Sequence, residues 1–228
     1  MWINDNGQAV GASGTCANTV LPPLAFGPHA VLWDTDGSVT DLGNLGGTAA
    51  NIGLAINNRG QVVGAASLEG GTTPFSLNDA FLWTRETGMQ DLGALPGDAN
   101  SVGLGINDRG EVVGQSADAD GNSRGFLYQN GVMYDLNTLI PANSPLYVLS
   151  ASSINSSGEI AGFGMTSDGD MHAFLATPSS GEDTSGSFSS PAQNVTSPMA
   201  LSDDIRKTLQ QRLRFGRFGG RARLMGLR

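Results

Sequence analysis

The chain has 228 residues, room for one ordinary domain with a tail or for two small domains. Its 33 glycines, 14% charged residues and 7% aromatic residues suit a turn-rich β protein better than a helical one. The net charge of −9 is unevenly spread. Residues 1–178 hold 17 acidic against 4 basic side chains (net −13), whereas residues 179–228 hold 4 against 8 (net +4), so the body repels nucleic acid and anionic membranes and only the tail can attract them.

The chain opens on "MWINDNGQAVG", which lacks a basic n-region and an apolar h-region and runs straight into a repeated pattern. That reads as a start inside a longer, exported chain. No apolar run reaches the roughly 18 residues that span a bilayer, so no transmembrane segment is expected. Cys16 is the single cysteine, which excludes an intramolecular disulfide and leaves the redox compartment open.

The first unit, about residues 1–50, begins with Asn4, followed by Gly7 and Gly11. The same three positions return as Asn57, Gly60 and Gly64, as Asn107, Gly110 and Gly114, and as Asn155, Gly158 and Gly162, at spacings of 53, 50 and 48 residues. An asparagine that opens a turn can bond backbone two residues on, and a glycine three residues later tolerates φ > 0. Ile-Asn-x-x-Gly is therefore a hairpin turn of type I with a glycine bulge.

An apolar strand follows in each unit: "HAVLW", "DAFLW" (unit about 51–100), "RGFLY" (about 101–150) and "HAFLA" (151–178). Tight turns at "DTDGS", "TRETG" and "QNG" lead to "VTDLGNL", "MQDLGAL" and "MYDLNTL", which the last, incomplete unit lacks. Each full unit is thus four short antiparallel strands, and a period near 50 residues predicts an all-β, β-propeller-like array of such units. Alternation places Phe81 and Trp83 on one face and Leu82 on the other, both apolar, so neighbouring units are expected to stack. The recurring Asn57, Gly60, Gly64, Trp83 and Asp91 are read as turn, packing and strand-end residues. Sixteen residues separate Asp41 from Asn57 and again Asp91 from Asn107, so the passage between units is geometrically fixed.

These motifs, Ile-Asn-x-x-Gly-x-Val-Val-Gly, His-Ala-Phe-Leu-Trp and Asp-Leu-Gly-x-Leu-Gly-Gly, resemble the HAF-repeat family over residues 1–178. Asp79 and Arg124 depart from the family's histidine, and the third unit ends in "DLNTLIP". The resemblance implies a bacterial, secreted or cell-surface protein of propeller-like fold, and it carries no catalytic residues across.

Strands that alternate in direction put the two tight turns of a unit at one end and the longer connectors at the other. Connectors of unequal length mark that second end, at residues 14–28, 68–78, 117–123 and 166–171 with 137–150 at its edge, as the expected ligand face. Phe26, Phe75, Tyr147, Asp118 and Asp120 are its candidate binding residues. Asp118, Asp120 and Asn122 alternate as in the opening of some calcium loops, and Asp168 and Asp170 form a second acidic turn. The distal glutamate of an EF-hand is missing, so turn formation is the competing reading. His29 and His172 share one repeat position with Asp79 and Arg124, which points to strand-edge residues rather than metal ligands. No catalytic motif is found.

Residues 179–201 read as a Ser/Gly/Pro-rich linker and residues 202–228 as a short basic amphipathic helix and tail. There Arg212, Arg214, Arg217, Arg221 and Arg223 offer contacts to an anionic surface. The sequence points to a non-catalytic binding scaffold for a glycan or a protein. The alternative is an exported carbohydrate-active hydrolase or lyase with a carboxylate pair at the mouth of the array.

Overall fold

The computed structural model describes residues 2–14, 27–71 and 77–178. Cys16, Phe26, Phe75, the linker, the tail helix and its arginines lie outside the described residues, as do parts of the first two connectors.

The described residues form four antiparallel sheets and no α-helix. The first sheet holds β1 (Trp2–Ile3), β2 (Ala9–Ser13), β3 (His29–Trp33) and β4 (Val39–Asp41). The second holds β5 (Gly46–Ile56), β6 (Val62–Leu68), β7 (Asn78–Thr84) and β8 (Gly88–Gly93). The third holds β9 (Asn100–Ile106), β10 (Val112–Ala117), β11 (Ser123–Gln129) and β12 (Val132–Asp135), followed by a 3-10 turn at Leu136–Thr138. The fourth holds only β13 (Leu146–Ile154), β14 (Ile160–Thr166) and β15 (Met171–Ala176). Every sheet is a meander in which each strand pairs with the next in sequence.

The Asn-x-x-Gly turns have the expected chemistry. In each, the glycine amide donates to the asparagine carbonyl at 3.0–3.1 Å, and the glycine takes φ between +76° and +83°. The Asn57 side chain accepts from the amides of Arg59 and Gln61, both at 3.0 Å. In the third sheet, Asn130 and Gly131 both have positive φ between paired Gln129 and Val132, a two-residue hairpin of the type that follows strand twist. In the third and fourth sheets the connectors also close as tight turns, with Gly121 donating to Asp118 and Gly169 to Thr166.

The sheets stack face to face in chain order. Between the first and second, Val10, Ala30 and Leu32 pack on Ile56, Val62, Phe81 and Trp83. Between the second and third, Val63 and Ala80 pack on Ile106, Val112 and Phe126, with Leu82 alongside. Between the third and fourth, Val113 and Leu127 meet Val148, Ile154 and Ile160. Phe81 and Trp83 thus face the preceding sheet and Leu82 the following one, as the alternation predicts. Both faces of a middle sheet bury apolar side chains, and burying a large one contributes roughly 1.5–3 kcal/mol.

Candidate functional site

The opening strand of each sheet, β1, β5, β9 or β13, contributes to one shared cavity of about 260 Å³. Ile3, Ile56, Ile106 and Ile154 give its apolar wall, and Asp5, Asn58, Asp108 and Ser156 its polar lining at the Asn-x-x-Gly turns.

That end is tied together by the repeated asparagines. Asn4 Nδ2 donates to the carbonyl of Asn57 at 2.9 Å, Asn57 Nδ2 to that of Asn107 at 2.9 Å, and Asn107 Nδ2 to that of Asn155 at 3.0 Å. The second proton of each amide goes to the side chain four residues on, reaching Gln8, Gln61, Glu111 and Glu159 at 2.6–2.9 Å. A parallel row links Asp5, Asn58 and Asp108: Asn58 Oδ1 accepts from the Asp5 amide at 3.0 Å, and Asp108 Oδ1 from the Asn58 amide at 2.8 Å. An aspartate could form the turn but could not donate to the next repeat, which accounts for the amide at Asn4, Asn57 and Asn107.

Asn107→Ala removes both accepted and both donated bonds of a buried side chain and leaves the Asn155 carbonyl with the Gly158 amide as its one remaining donor among the described residues. A loss of about 2–4 kcal/mol is expected. Asn155 is exposed and makes no bond to a following repeat among the described residues, so Asn155→Ala should cost only about 1 kcal/mol. Urea midpoints of the two variants compare them directly, and equal losses would refute a role for the inter-repeat bond.

At the opposite end of each of the first three sheets, the first residue of the "HAF" strand meets the aspartate of the "DLG" strand. His29 Nδ1 lies 2.7 Å from Asp41 Oδ2, and Arg124 Nη1 donates to Asp135 Oδ2 at 2.9 Å while its Nη2 reaches Asp98 Oδ1 at 2.8 Å. The aspartate's other oxygen caps its own turn, accepting from Gly43, Gly93 or Asn137 at 2.7–2.9 Å. In the second sheet both partners are carboxyls. Burial pushes Asp79 up to about 6, and the neighbouring Asp91 carboxylate pushes in the same direction, against the hydrogen bond from Ser101. His, Asp and Arg at one position thus share a cross-strand role, as their interchange suggests. His172 holds the corresponding place on β15, where it is exposed.

The remaining candidates are dispersed. Asp118 Oδ1 accepts from the amides of Asp120 and Asn122, both at 2.9 Å, and its Oδ2 from Asn122 Nδ2 at 2.7 Å. Burial raises its pKa, but the hydrogen bonds from Asn122, Asp120 and Gly121 outweigh this and hold the carboxyl below the usual range. Both oxygens of Asp118 therefore serve the turn. Asp120 is exposed, and Asn122 Oδ1 is a buried oxygen with no hydrogen-bond partner among the described residues. Asp168 and Asp170 lie in and beside the β14–β15 turn. Among the described residues no group of three or more His, Cys, Asp or Glu side chains is placed to hold a metal. Tyr147 is half-buried on β13 beside Leu149 and Met165.

No helix among the described residues is long and apolar enough to cross a membrane. No protein-family model, curated protein or solved structure matches the chain.

Proposed function

We propose that the four sheets form a propeller-like array that works as a non-catalytic, extracellular or cell-surface binding scaffold for a glycan or a protein. The observation that carries this reading is the division of labour between the two ends of the sheets. The recurring polar residues are engaged in turns, cross-strand pairs and the asparagine ladder, all of which hold the frame together. The segments that differ between repeats leave the frame together at the end away from the ladder, as meander connectivity requires. A rigid frame with unequal loops on one end is how repeat proteins present a binding face. Export rests on the resemblance to HAF-repeat proteins, and the basic tail would then meet an anionic surface.

A glycan microarray probed with the full chain tests the reading. Binding should fall about tenfold in Tyr147→Ala or Asp120→Ala, at the loop end, and stay unchanged in Asn58→Ala, at the ladder end. The carboxyl pair Asp79–Asp91 favours a second reading, an exported carbohydrate-active enzyme, because burial raises the Asp79 carboxyl to about 6, where it can hold a proton for a general acid beside a second carboxyl. Release of reducing ends from an array-positive glycan, lost in Asp91→Asn, would select that reading over simple binding.

A further inference from the structure

The repeat shows what each sheet face is built to meet. Ile56, Ile106 and Ile154 occupy one repeat position, pack on the preceding sheet and are 4%, 9% and 8% exposed. The equivalent Ile3 of the first sheet is 63% exposed, with Trp2 beside it at 58%. The opposite faces behave in the same way. Leu32 and Leu127 face the following sheet at 1% and 0% exposure, whereas their equivalent on the fourth sheet, Leu175, is 66% exposed and Phe163 on the neighbouring strand is 37% exposed. The hydrogen-bond ladder stops at the same places. Among the described residues, the Asn155 amide reaches no carbonyl of a following repeat, and no amide side chain from a preceding repeat reaches the Asn4 carbonyl.

We infer that the outer face of the fourth sheet takes the outer face of the first sheet of a second copy of this chain, head to tail, continuing the internal stack. The occupant follows from continuity with three interfaces already inside the molecule. Each of them joins a face of the Leu175 kind to a face of the Ile3 kind, with an asparagine amide donating across to the next asparagine carbonyl. In the intermolecular contact Leu175 and Phe163 cover Ile3 and Trp2 of the second copy, and Asn155 Nδ2 donates to its Asn4 carbonyl. Such a contact is heterologous, so it either closes a ring of copies or propagates.

Light scattering after size exclusion of the full chain reads the outcome. The unmodified chain should show a mass above that of one chain that grows with concentration. Ile3→Glu and Leu175→Glu should each reduce it to one chain, with urea midpoints unchanged because both positions are exposed. Mixing the two variants should restore a two-chain species, since each contributes one intact face. A single-chain mass at every concentration, which is also the outcome if residues 179–228 cover the fourth sheet, overturns the inference. So does association that survives either variant, or a mixture that fails to recover. Loss in Leu175→Glu but not in Ile3→Glu would overturn it too, and would mean that two fourth sheets pair with each other instead.

Discussion

Gly64→Ala should destabilise the chain by about 3 kcal/mol or more, although replacing a mid-strand glycine by alanine ordinarily stabilises by 0.5–1 kcal/mol (roughly the intrinsic difference). The reversal comes from steric contact. A Cβ on Gly64 would lie 1.9 Å from the Ile52 carbonyl oxygen of the paired strand and 3.0 Å from Phe81 Cε1. A backbone oxygen has no rotamer to move to, so β5 and β6 would have to separate, and Phe81, which is fully buried, would lose its seat between the first two sheets. The same arrangement recurs at Gly114, where a Cβ would meet the Val102 oxygen at 2.0 Å and Phe126 Cζ at 2.7 Å, and at Gly162, against the Ser150 oxygen at 2.1 Å and Phe174 Cε1 at 2.9 Å. In each of these three sheets the glycine pairs directly with the phenylalanine of the next strand. The pairing with the preceding strand is irregular close by, at Gly53/Ala55, Val113/Gly114 and Ala151/Ser153. Gly88→Ala is the matched control: its φ is +69° and nothing lies within 4 Å, so only backbone strain of about 1–2 kcal/mol is expected. Urea titrations giving Gly64→Ala a midpoint at or above that of the unmodified chain would show that β5 and β6 can open without cost.

That second glycine also marks how far the sequence could be read. Its recurrence at Gly11, Gly64, Gly114 and Gly162 is visible, but its cause at the last three is a close approach to the preceding strand under a phenylalanine from the following one. Neither distance is encoded in residue spacing. The turn role of Asn57, the four-strand meander of the first three units and the opposite orientations of Phe81 and Leu82 were legible, because turn chemistry and strand alternation are local. Local pattern does not reveal which side chains meet between sheets. The donation from Asn57 to the Asn107 carbonyl crosses 50 residues, and the sole local hint was that the position is always an amide and never an acid. Equivalence among His29, Asp79 and Arg124 suggested a strand edge, and the structure adds the common partner, the aspartate of the last strand. Asp118 illustrates a motif with two meanings: alternating oxygens suggest a cation, yet the same spacing is what a side chain needs to cap the amides two and four residues ahead.

The carboxyl pair of the second sheet should give this protein a component of stability that declines as pH rises. Asp79 is 9% exposed, its pKa in the folded chain is about 6, and that of an unfolded aspartate is close to 3.8. Below both values the side chain is protonated in either state and burial carries no charge penalty. Above pH 4 or so (roughly the unfolded pKa), the unfolded chain releases this proton while the folded chain retains it, so the unfolded state gains. The loss grows until the folded group ionises near pH 6 and is constant thereafter. A rise from 3.8 to about 6 corresponds to a loss of about 3 kcal/mol at neutral pH. Asp79→Asn keeps the shape and the hydrogen bonding to Ser101 without a charge, so the variant should be more stable by about 2–3 kcal/mol at about pH 7.5 and indistinguishable at about pH 3, below both values. Acid destabilisation through the other carboxylates is common to both proteins and cancels in the difference. Asp91→Asn should recover only the smaller part, since burial rather than Asp91 is the main cause of the raised pKa. Guanidinium titrations across this pH range check the sign as well as the size. Parallel stability curves for the unmodified chain and Asp79→Asn would mean that Asp79 is ionised and solvated in the folded protein and that the second sheet tolerates two adjacent charges.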